Sequence, residues 1–154
     1  MILGIGTDLV RVERLRGLLE RYGERLLRRV LHPEERAQLP LVRPEGFLAR
    51  RFAAKEALAK ALGCGIGKDM ALPEACVIHD ALGRPALTLS GAAARTARRL
   101  GVARVHVSIS DEHDYAQAFV VLEGGNPPSS GPCGKFGAYG AQSDAPEQGG
   151  QVQE

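Results

Sequence analysis

Aromatic residues are scarce in this chain of 154 residues: they make up 5% of it, and tryptophan is absent. Basic residues without interleaved aromatics make a weak case for a nucleic-acid surface, so no nucleic-acid partner is expected. No run approaches the roughly 18 apolar residues of a membrane span, so no membrane partner is expected either. The opening residues MILGIGTD lack a basic segment and include the acid Asp8, unlike a secretory signal.

Cysteine is also sparse. The three cysteines, Cys64, Cys76 and Cys133, are odd in number and widely spaced, so they form no metal-type pair. This distribution favours free thiols in a reducing compartment, and we expect a cytoplasmic protein.

Neither sign of charge dominates the sequence, since the net charge is only +2. Residues 1–123 carry 19 bases and 15 acids, whereas residues 124–154 carry one base and three acids. The balance of +4 over residues 1–123 does not demand nucleic acid. It is enough to favour an acidic partner or a phosphorylated ligand where the bases cluster.

Composition divides the chain in two. Residues 124–154 are dense in Gly, Pro, Ser and Gln and would bury too little apolar surface to offset the entropy of ordering, so a disordered tail is predicted. Residues 1–123 are predicted to form one folded domain. The chain as a whole is 44% apolar and 25% charged, as is typical of soluble globular proteins.

Hydrophobic periodicity predicts an α+β fold in which helices pack on a largely antiparallel sheet. Gly17 and Gly23 weaken the first helix, which is expected to bend or break there, and Ser90 is a candidate cap of the last helix. The predicted strands span 2–6, 75–80, 84–90, 103–110 and 115–123, and the predicted helices span 9–30, 32–39, 47–62 and 90–101.

The stretch RRFAAKEALAKAL at 50–62 places one acid, Glu56, among four bases. On a helix Glu56 and Lys60 lie one turn apart, and one interpretation is a surface ion pair of about 0.3–0.5 kcal/mol. The other is a metal site, because Mg²⁺ binds one or two protein carboxylates and completes its shell with water and phosphate oxygens. Asp8, after the apolar strand, is the candidate second carboxylate, unless it caps a helix beginning at Leu9.

Three further features each have a purely structural interpretation and a functional one. The segment GCGIGKD at 63–69 is either a helix stop or a bare backbone that admits a ligand. His106, Ser108 and Ser110 share one strand face, which is either solvated or suited to phosphate and hydroxyl groups. An arginine stripe on the first helix is either a solvated face or a surface for carboxylates and phosphates; it comprises Arg14, Arg21, Arg25 and Arg28.

Three motifs together resemble bacterial holo-acyl-carrier-protein synthase: IGTD at 5–8, RRFAAKEALAKALG at 50–63 followed by GIG, and HVSISDEHDYAQAFVVLE at 106–123. The resemblance extends over essentially all of residues 1–123. It implies a 4′-phosphopantetheinyl transferase of α+β fold, usually a homotrimer with active sites at the subunit interfaces. Such an enzyme transfers phosphopantetheine from coenzyme A to a serine of apo acyl carrier protein, which supports fatty acid biosynthesis.

The resemblance also implies residue roles. Asp8 and Glu56 would bind Mg²⁺, and Glu56 and Lys60 would be catalytic, with Lys60 also binding the diphosphate of coenzyme A. The remaining implied positions are Gly65 beside the cofactor, Arg51 and His106 on its adenosine-side phosphates, and Arg14 and Arg21 against the acidic carrier protein. Many relatives have histidine where this chain has Asp111, to which no role is assigned.

Two alternatives of other classes remain at this stage. One is a noncatalytic module whose arginine-rich helix docks an acidic protein or RNA. The other is a Mg²⁺-dependent nucleotide phosphohydrolase.

Overall fold

The computed structural model describes residues 1–125, so the predicted tail lies outside the described residues from residue 126 onward. Five strands and five α-helices make up this region, with a short 3₁₀ turn, Leu72–Glu74, before the second strand. No helix in residues 1–125 is long and apolar enough to cross a membrane. In chain order the elements are β1 (Ile2–Arg11), α1 (Val12–Tyr22), α2 (Glu24–Val30), α3 (Pro33–Ala37), α4 (Pro44–Ala61), β2 (Ala75–His79), β3 (Pro85–Leu89), α5 (Gly91–Arg99), β4 (Val102–Asp111) and β5 (Tyr115–Gly124).

The strands form a three-stranded sheet, with β5 between β1 and β4, and a separate β2–β3 hairpin. Every pairing is antiparallel, which confirms the predicted α+β class. One face of the three-stranded sheet packs against α4, and β5 contributes the buried residues Ala116, Ala118, Val120 and Leu122 to that face. Alternate residues of each strand therefore point toward α4 or away from it.

Helix α4 lies directly on the backbone of β1. A methyl group at Gly6 would overlap the carbonyl of Ala57 and come within 2.6 Å of the amide nitrogen of Ala61, and one at Gly4 would overlap the carbonyl of Ala61. Because the strand period is two, Asp8 faces α4 on the same side as Gly4 and Gly6. The glycines thus bring the helix within reach of the Asp8 side chain.

The predicted first helix was placed too early. Strand β1 continues to Arg11, because Leu9, Val10 and Arg11 pair with the start of β5, and α1 begins only at Val12. Asp8 is therefore a strand residue and not a helix cap, which excludes that interpretation. The predicted break is confirmed at Gly23, whose φ of 48° separates α1 from α2.

A buried ion pair joins α3 to α4. Glu35 and Lys55 have relative exposures of 0%, and their side chains lie 2.5 Å apart. Lys55 Nζ also donates to the Val30 carbonyl (2.7 Å), while the Glu35 carboxylate accepts from the backbone amides of His32 and Val77 (both 2.8 Å). The network connects α2, α3, α4 and β2, and its hydrogen bonds compensate for burying two charges.

Helix α5 is capped by a residue distant in sequence. Ser90 occupies the N-cap position, but its hydroxyl donates to the Glu74 carbonyl (3.1 Å) and makes no capping bond. Instead the Glu74 carboxylate accepts from the amides of Ala92 (2.9 Å) and Ala93 (3.1 Å). Ser90 thus occupies the predicted cap position, but a tertiary contact and not its own hydroxyl supplies the acceptor.

Candidate active site

Asp8, Glu56 and Lys60 come together where β1 crosses α4. Lys60 Nζ donates to Asp8 Oδ1 (2.9 Å) and to the carbonyl of Thr7 (2.9 Å). The side chain of Asp8 is 17% exposed and that of Lys60 is 53% exposed, so the group opens to solvent on one side. Two of the motifs that are distant in sequence thus form one polar cluster.

The predicted ion pair between Glu56 and Lys60 does not form. Among residues 1–125, the ion-pair partner of Lys60 is Asp8, because the lysine extends across to the strand and not back along its own helix. Glu56 therefore has no direct cationic partner within the described residues, although Lys60 and Arg14 lie near enough to lower its pKa.

Glu56 lies in an electrostatic setting that disfavours its own charge. Burial, and after it the negative charge of Asp8, raises the pKa of Glu56 above its ordinary value, and the opposing effects of Lys60 and Arg14 do not cancel this. Two adjacent carboxylates in a half-buried position repel each other unless a cation lies between them. Such oxygen donors are the ligands that Mg²⁺ selects, so Asp8 and Glu56 could hold that ion.

Arg14 and Arg21 lie two turns apart on α1, and both are exposed. The guanidinium of Arg14 stacks over the ring of Phe52, 6.0 Å from its centroid, and Phe52 is one turn before Glu56 on α4. Arg21 lies over Tyr22, 5.1 Å from that ring centroid, at the far end of the helix. Of these two arginines, Arg14 therefore lies beside the carboxylate cluster, and Arg21 lies farther along α1.

Arg51 lies on another side of α4 from Glu56, since five residues of helix correspond to about 500° of rotation. It is only 5% exposed, and its guanidinium carbon lies 3.8 Å from the ring centroid of Phe47. Within residues 1–125 its Nε has no hydrogen-bond partner, and burial lowers its pKa despite the charge of Glu35. A buried guanidinium with an unpaired donor is suited to receive an anion.

His106 and Gly65 lie elsewhere. His106 is on the sheet face that points away from α4, where its Nε2 is 2.9 Å from Glu123 Oε2, and this bond lowers the pKa of Glu123. Gly65 is exposed in the connection that follows α4. One chain therefore brings Asp8, Glu56 and Lys60 together but leaves His106 on the opposite face of the sheet.

A cavity of about 650 Å³ was not predicted from the sequence. It lies between α1, the start of α4 and the β4–β5 turn, and Arg43, Phe47, Arg50 and Asp111 are among its lining residues. Arg50 Nη1 donates to Asp111 Oδ2 (2.8 Å), which gives Asp111 a structural partner. The two adjacent arginines at 50–51 were the only sequence feature that pointed to this place. The ion pair itself was not predictable, because its partners are 61 residues apart and leave no local sequence pattern.

Comparison with known proteins identifies the family of the chain. A profile of the 4′-phosphopantetheinyl transferase superfamily matches residues 4–120. The chain is 54% identical over 125 residues to the holo-acyl-carrier-protein synthase of Alkalilimnicola ehrlichii, covering 80% of this chain and 98% of that protein. It therefore belongs to the 4′-phosphopantetheinyl transferase superfamily, and within it to the enzymes of the holo-acyl-carrier-protein synthase family.

Solved structures show the same likeness. The crystal structure of holo-acyl-carrier-protein synthase from Neisseria meningitidis has a TM-score of 0.75 and 43% identity, covering 80% of this chain and 99% of that one. The Helicobacter pylori enzyme, solved in complex with coenzyme A, has a TM-score of 0.69 and 29% identity, covering 77% and 99%.

Proposed function

We propose that this enzyme transfers 4′-phosphopantetheine from coenzyme A to a serine of apo acyl carrier protein. The products are holo carrier protein and adenosine 3′,5′-bisphosphate, and the reaction serves fatty acid biosynthesis in the cytoplasm. The observation that carries the proposal is the cluster of Asp8, Glu56 and Lys60, in which two carboxylates and an ammonium group lie where β1 crosses α4. We further propose residues 1–123 as the whole catalytic domain.

Asp8 and Glu56 are the residues that would hold Mg²⁺, which supplies neutralisation of the charge that develops on the diphosphate oxygens. Lys60 reaches the same place from the helix and offers hydrogen-bond donors to a phosphate oxygen. The attacking hydroxyl belongs to the carrier protein, so no nucleophile is needed from this chain. Its own residues therefore act by binding, orienting and neutralising charge.

The phosphates on the adenosine side would bind Arg51 and His106, and the exposed backbone at Gly65 would lie beside the cofactor. Arg51 supports this proposal because its buried Nε has no partner in residues 1–125. His106 does not reach Glu56 within one chain, since Glu56 is on α4 and His106 is on the sheet face that points away from α4. We propose that a second copy completes the site.

The outer sheet face supports assembly, and we propose a homotrimer. Ile5 (57%), Leu9 (61%) and Phe119 (45%) are exposed there, on the same face as His106. Large exposed apolar groups on one face are typical of an interface between copies. Stacking this face against a neighbouring chain would cover the apolar residues and carry His106 toward that neighbour's carboxylates.

Arg14 and Arg21 are proposed to dock the carrier protein. Both are exposed on one side of α1, and α1 packs on α4 next to the carboxylate cluster. An acidic carrier bound there would be attracted by charge and delivered close to Lys60.

Mass spectrometry of apo carrier protein incubated with the enzyme, coenzyme A and Mg²⁺ tests the proposal. The expected result is a carrier heavier by one phosphopantetheine, together with adenosine 3′,5′-bisphosphate in equal amount. A carrier of unchanged mass that remains bound would favour a noncatalytic docking module. Hydrolysis of coenzyme A without modification of the carrier would favour a phosphohydrolase.

A further inference from the structure

A second group of potential metal ligands lies apart from the carboxylate cluster. His32, Glu34 and Cys76 each offer one ligand atom, and these atoms all lie within 4.8 Å of one another. His32 and Glu34 are at the start of α3, whereas Cys76 is in β2. The group combines an imidazole, a carboxylate and a thiol, which is the donor set of a zinc site and not of a magnesium site.

The fold explains why these residues meet. Glu35 accepts hydrogen bonds from the amides of His32 and Val77, both at 2.8 Å, so it fastens the start of α3 to β2. Cys76 directly precedes Val77, so the hydrogen bond from the Val77 amide to Glu35 also holds Cys76 beside His32 and Glu34. The arrangement is held by the buried Glu35–Lys55 network and does not depend on a metal ion.

The thiol of Cys76 is buried and makes a weak hydrogen bond. It is 3% exposed, and in residues 1–125 its hydrogen-bond contact is a 4.0 Å approach to the carbonyl of Val77. Burial, and then the charges of Glu35 and Glu34, raises the pKa of this thiol to about 11, against the opposing charges of Lys55 and Arg51. In the metal-free protein the sulfur is thus protonated.

We propose that His32, Glu34 and Cys76 form a binding site for Zn²⁺ or a similar thiophilic divalent ion, separate from the Mg²⁺ site. Imidazole nitrogen, carboxylate oxygen and thiolate sulfur would supply three ligands, with water as the fourth. On binding, the metal–sulfur bond replaces the S–H bond, and the proton passes to solvent. Mg²⁺ prefers oxygen ligands alone, so it would leave this site free.

Metal binding would exchange one weak hydrogen bond at the imidazole. His32 Nδ1 accepts a 3.3 Å hydrogen bond from the amide of Glu34, which is long for such a bond and easily exchanged for a metal. The carboxylate of Glu34 has no ion pair among residues 1–125, so binding would break no salt bridge. A bound ion would join α3 to β2 at the junction that Glu35 already holds.

Titration of the full chain with Co²⁺ tests the site, because a thiolate ligand produces a charge-transfer absorption that oxygen ligands do not. One Co²⁺ per chain should give this band in the wild type and in a Cys64→Ala, Cys133→Ala double variant, and Zn²⁺ should abolish it. Cys76→Ala should lack the band. Co²⁺ bound at Asp8 and Glu56 would contribute no thiolate band, so the two sites are distinguished.

His32→Asn provides a variant that keeps a helix-capping side chain and removes the imidazole. It should fold and bind Co²⁺ about tenfold or more weakly, since even the loss of an outer-shell partner costs about 10–100-fold. Absence of a thiolate band in the wild type would overturn the proposal. Persistence of the band in Cys76→Ala, or unchanged affinity in His32→Asn, would do the same.

Discussion

At the scale of single residues, Glu56 is a carboxylate whose negative charge the fold disfavours. Its pKa is raised by burial and by Asp8, and Lys60 is engaged by Asp8 instead. A residue that served only as a helix partner would have a depressed pKa. The disfavoured charge therefore supports the proposal that Glu56 binds a cation.

Glu56→Gln should lower turnover by about two to three orders of magnitude, equivalent to roughly 3–4 kcal/mol of barrier, since the change removes one of the two carboxylates proposed to bind Mg²⁺ and preserves side-chain shape. Turnover measured against Mg²⁺ concentration checks this. Glu20→Gln, on the exposed side of α1, is the matched control and should retain normal turnover. Near-normal activity with an unchanged Mg²⁺ requirement in Glu56→Gln would contradict the assignment.

The same variant should be more stable than the wild type when metal is absent and the pH is neutral. A carboxyl with a raised folded pKa contributes stability below its unfolded pKa, and this is lost as the pH rises through the folded pKa. The advantage of Glu56→Gln should therefore shrink as the pH falls through the raised folded pKa, and it should be lost below the ordinary glutamate range. Melting curves of both proteins, recorded with a chelator from neutral pH to below the ordinary glutamate pKa, measure this difference in stability.

Lys55 and Glu56 are adjacent in sequence but have different surroundings, because Lys55 is fully buried and paired with Glu35. Lys55→Met should destabilise the domain by about 3–5 kcal/mol, since it leaves the Glu35 carboxylate buried and uncompensated. The double change with Glu35→Leu should recover much of that loss. Denaturant unfolding of Lys55→Met, Glu35→Leu and the double variant measures these losses, and a double loss equal to the sum of the two single losses would show that the pair is not coupled.

At the scale of elements, the site depends on how closely α4 approaches β1. Gly4 and Gly6 have no room for a methyl group against the helix backbone. Any separation of the two elements would therefore also separate Asp8 from Glu56 and Lys60.

Gly6→Ala should destabilise the fold by about 1–3 kcal/mol or more and should also reduce turnover, because the clash is with backbone that cannot rotate away. Gly17→Ala is the control: apart from its chain neighbours and the backbone of its own helix, no atom lies within 4 Å of the added carbon. That change, in the interior of α1, should stabilise by about 0.5–1 kcal/mol. Thermal melts and turnover assays separate the two, and a neutral Gly6→Ala would refute the packing argument.

At the scale of the whole molecule, the three-stranded sheet has one face on α4 and one face exposed. The exposed face carries Leu9 and Phe119 together with His106, so we expect association and catalysis to be linked. A shared site would explain why the side chains implied in binding coenzyme A lie on different faces of one chain.

Leu9→Asp should dissociate the proposed assembly and abolish turnover, because it would place a charge in the apolar contact proposed between chains. Sedimentation measures the size of the assembly. Leu82→Asp, at an 83% exposed leucine in the β2–β3 turn, should change neither property. Mixing inactive Glu56→Gln with inactive His106→Ala should restore partial activity, whereas no recovery after subunit exchange would indicate that each chain has a complete site.

Much of the fold was predictable from local pattern. The period-two strands, the alanine-rich helix and the break at Gly23 follow from the geometry of neighbouring residues. The end of β1 was not predictable, since residues 9–11 have a helix-like pattern and become strand only because β5 pairs with them. The capping acceptor of α5 was missed for the same reason, as it lies in Glu74.

The sequence by itself nominated the side chains of the candidate site, because Glu56 and Lys60 lie one helical turn apart and Asp8 follows an apolar strand, in motifs that resemble one enzyme family. Only the tertiary structure decided how they pair: Lys60 binds Asp8 across two elements, and Arg51 is buried away from both. It also brought His32 and Cys76 together. Local sequence encodes the conformation of neighbouring residues, whereas contacts between distant residues depend on how helices and strands bury their apolar faces.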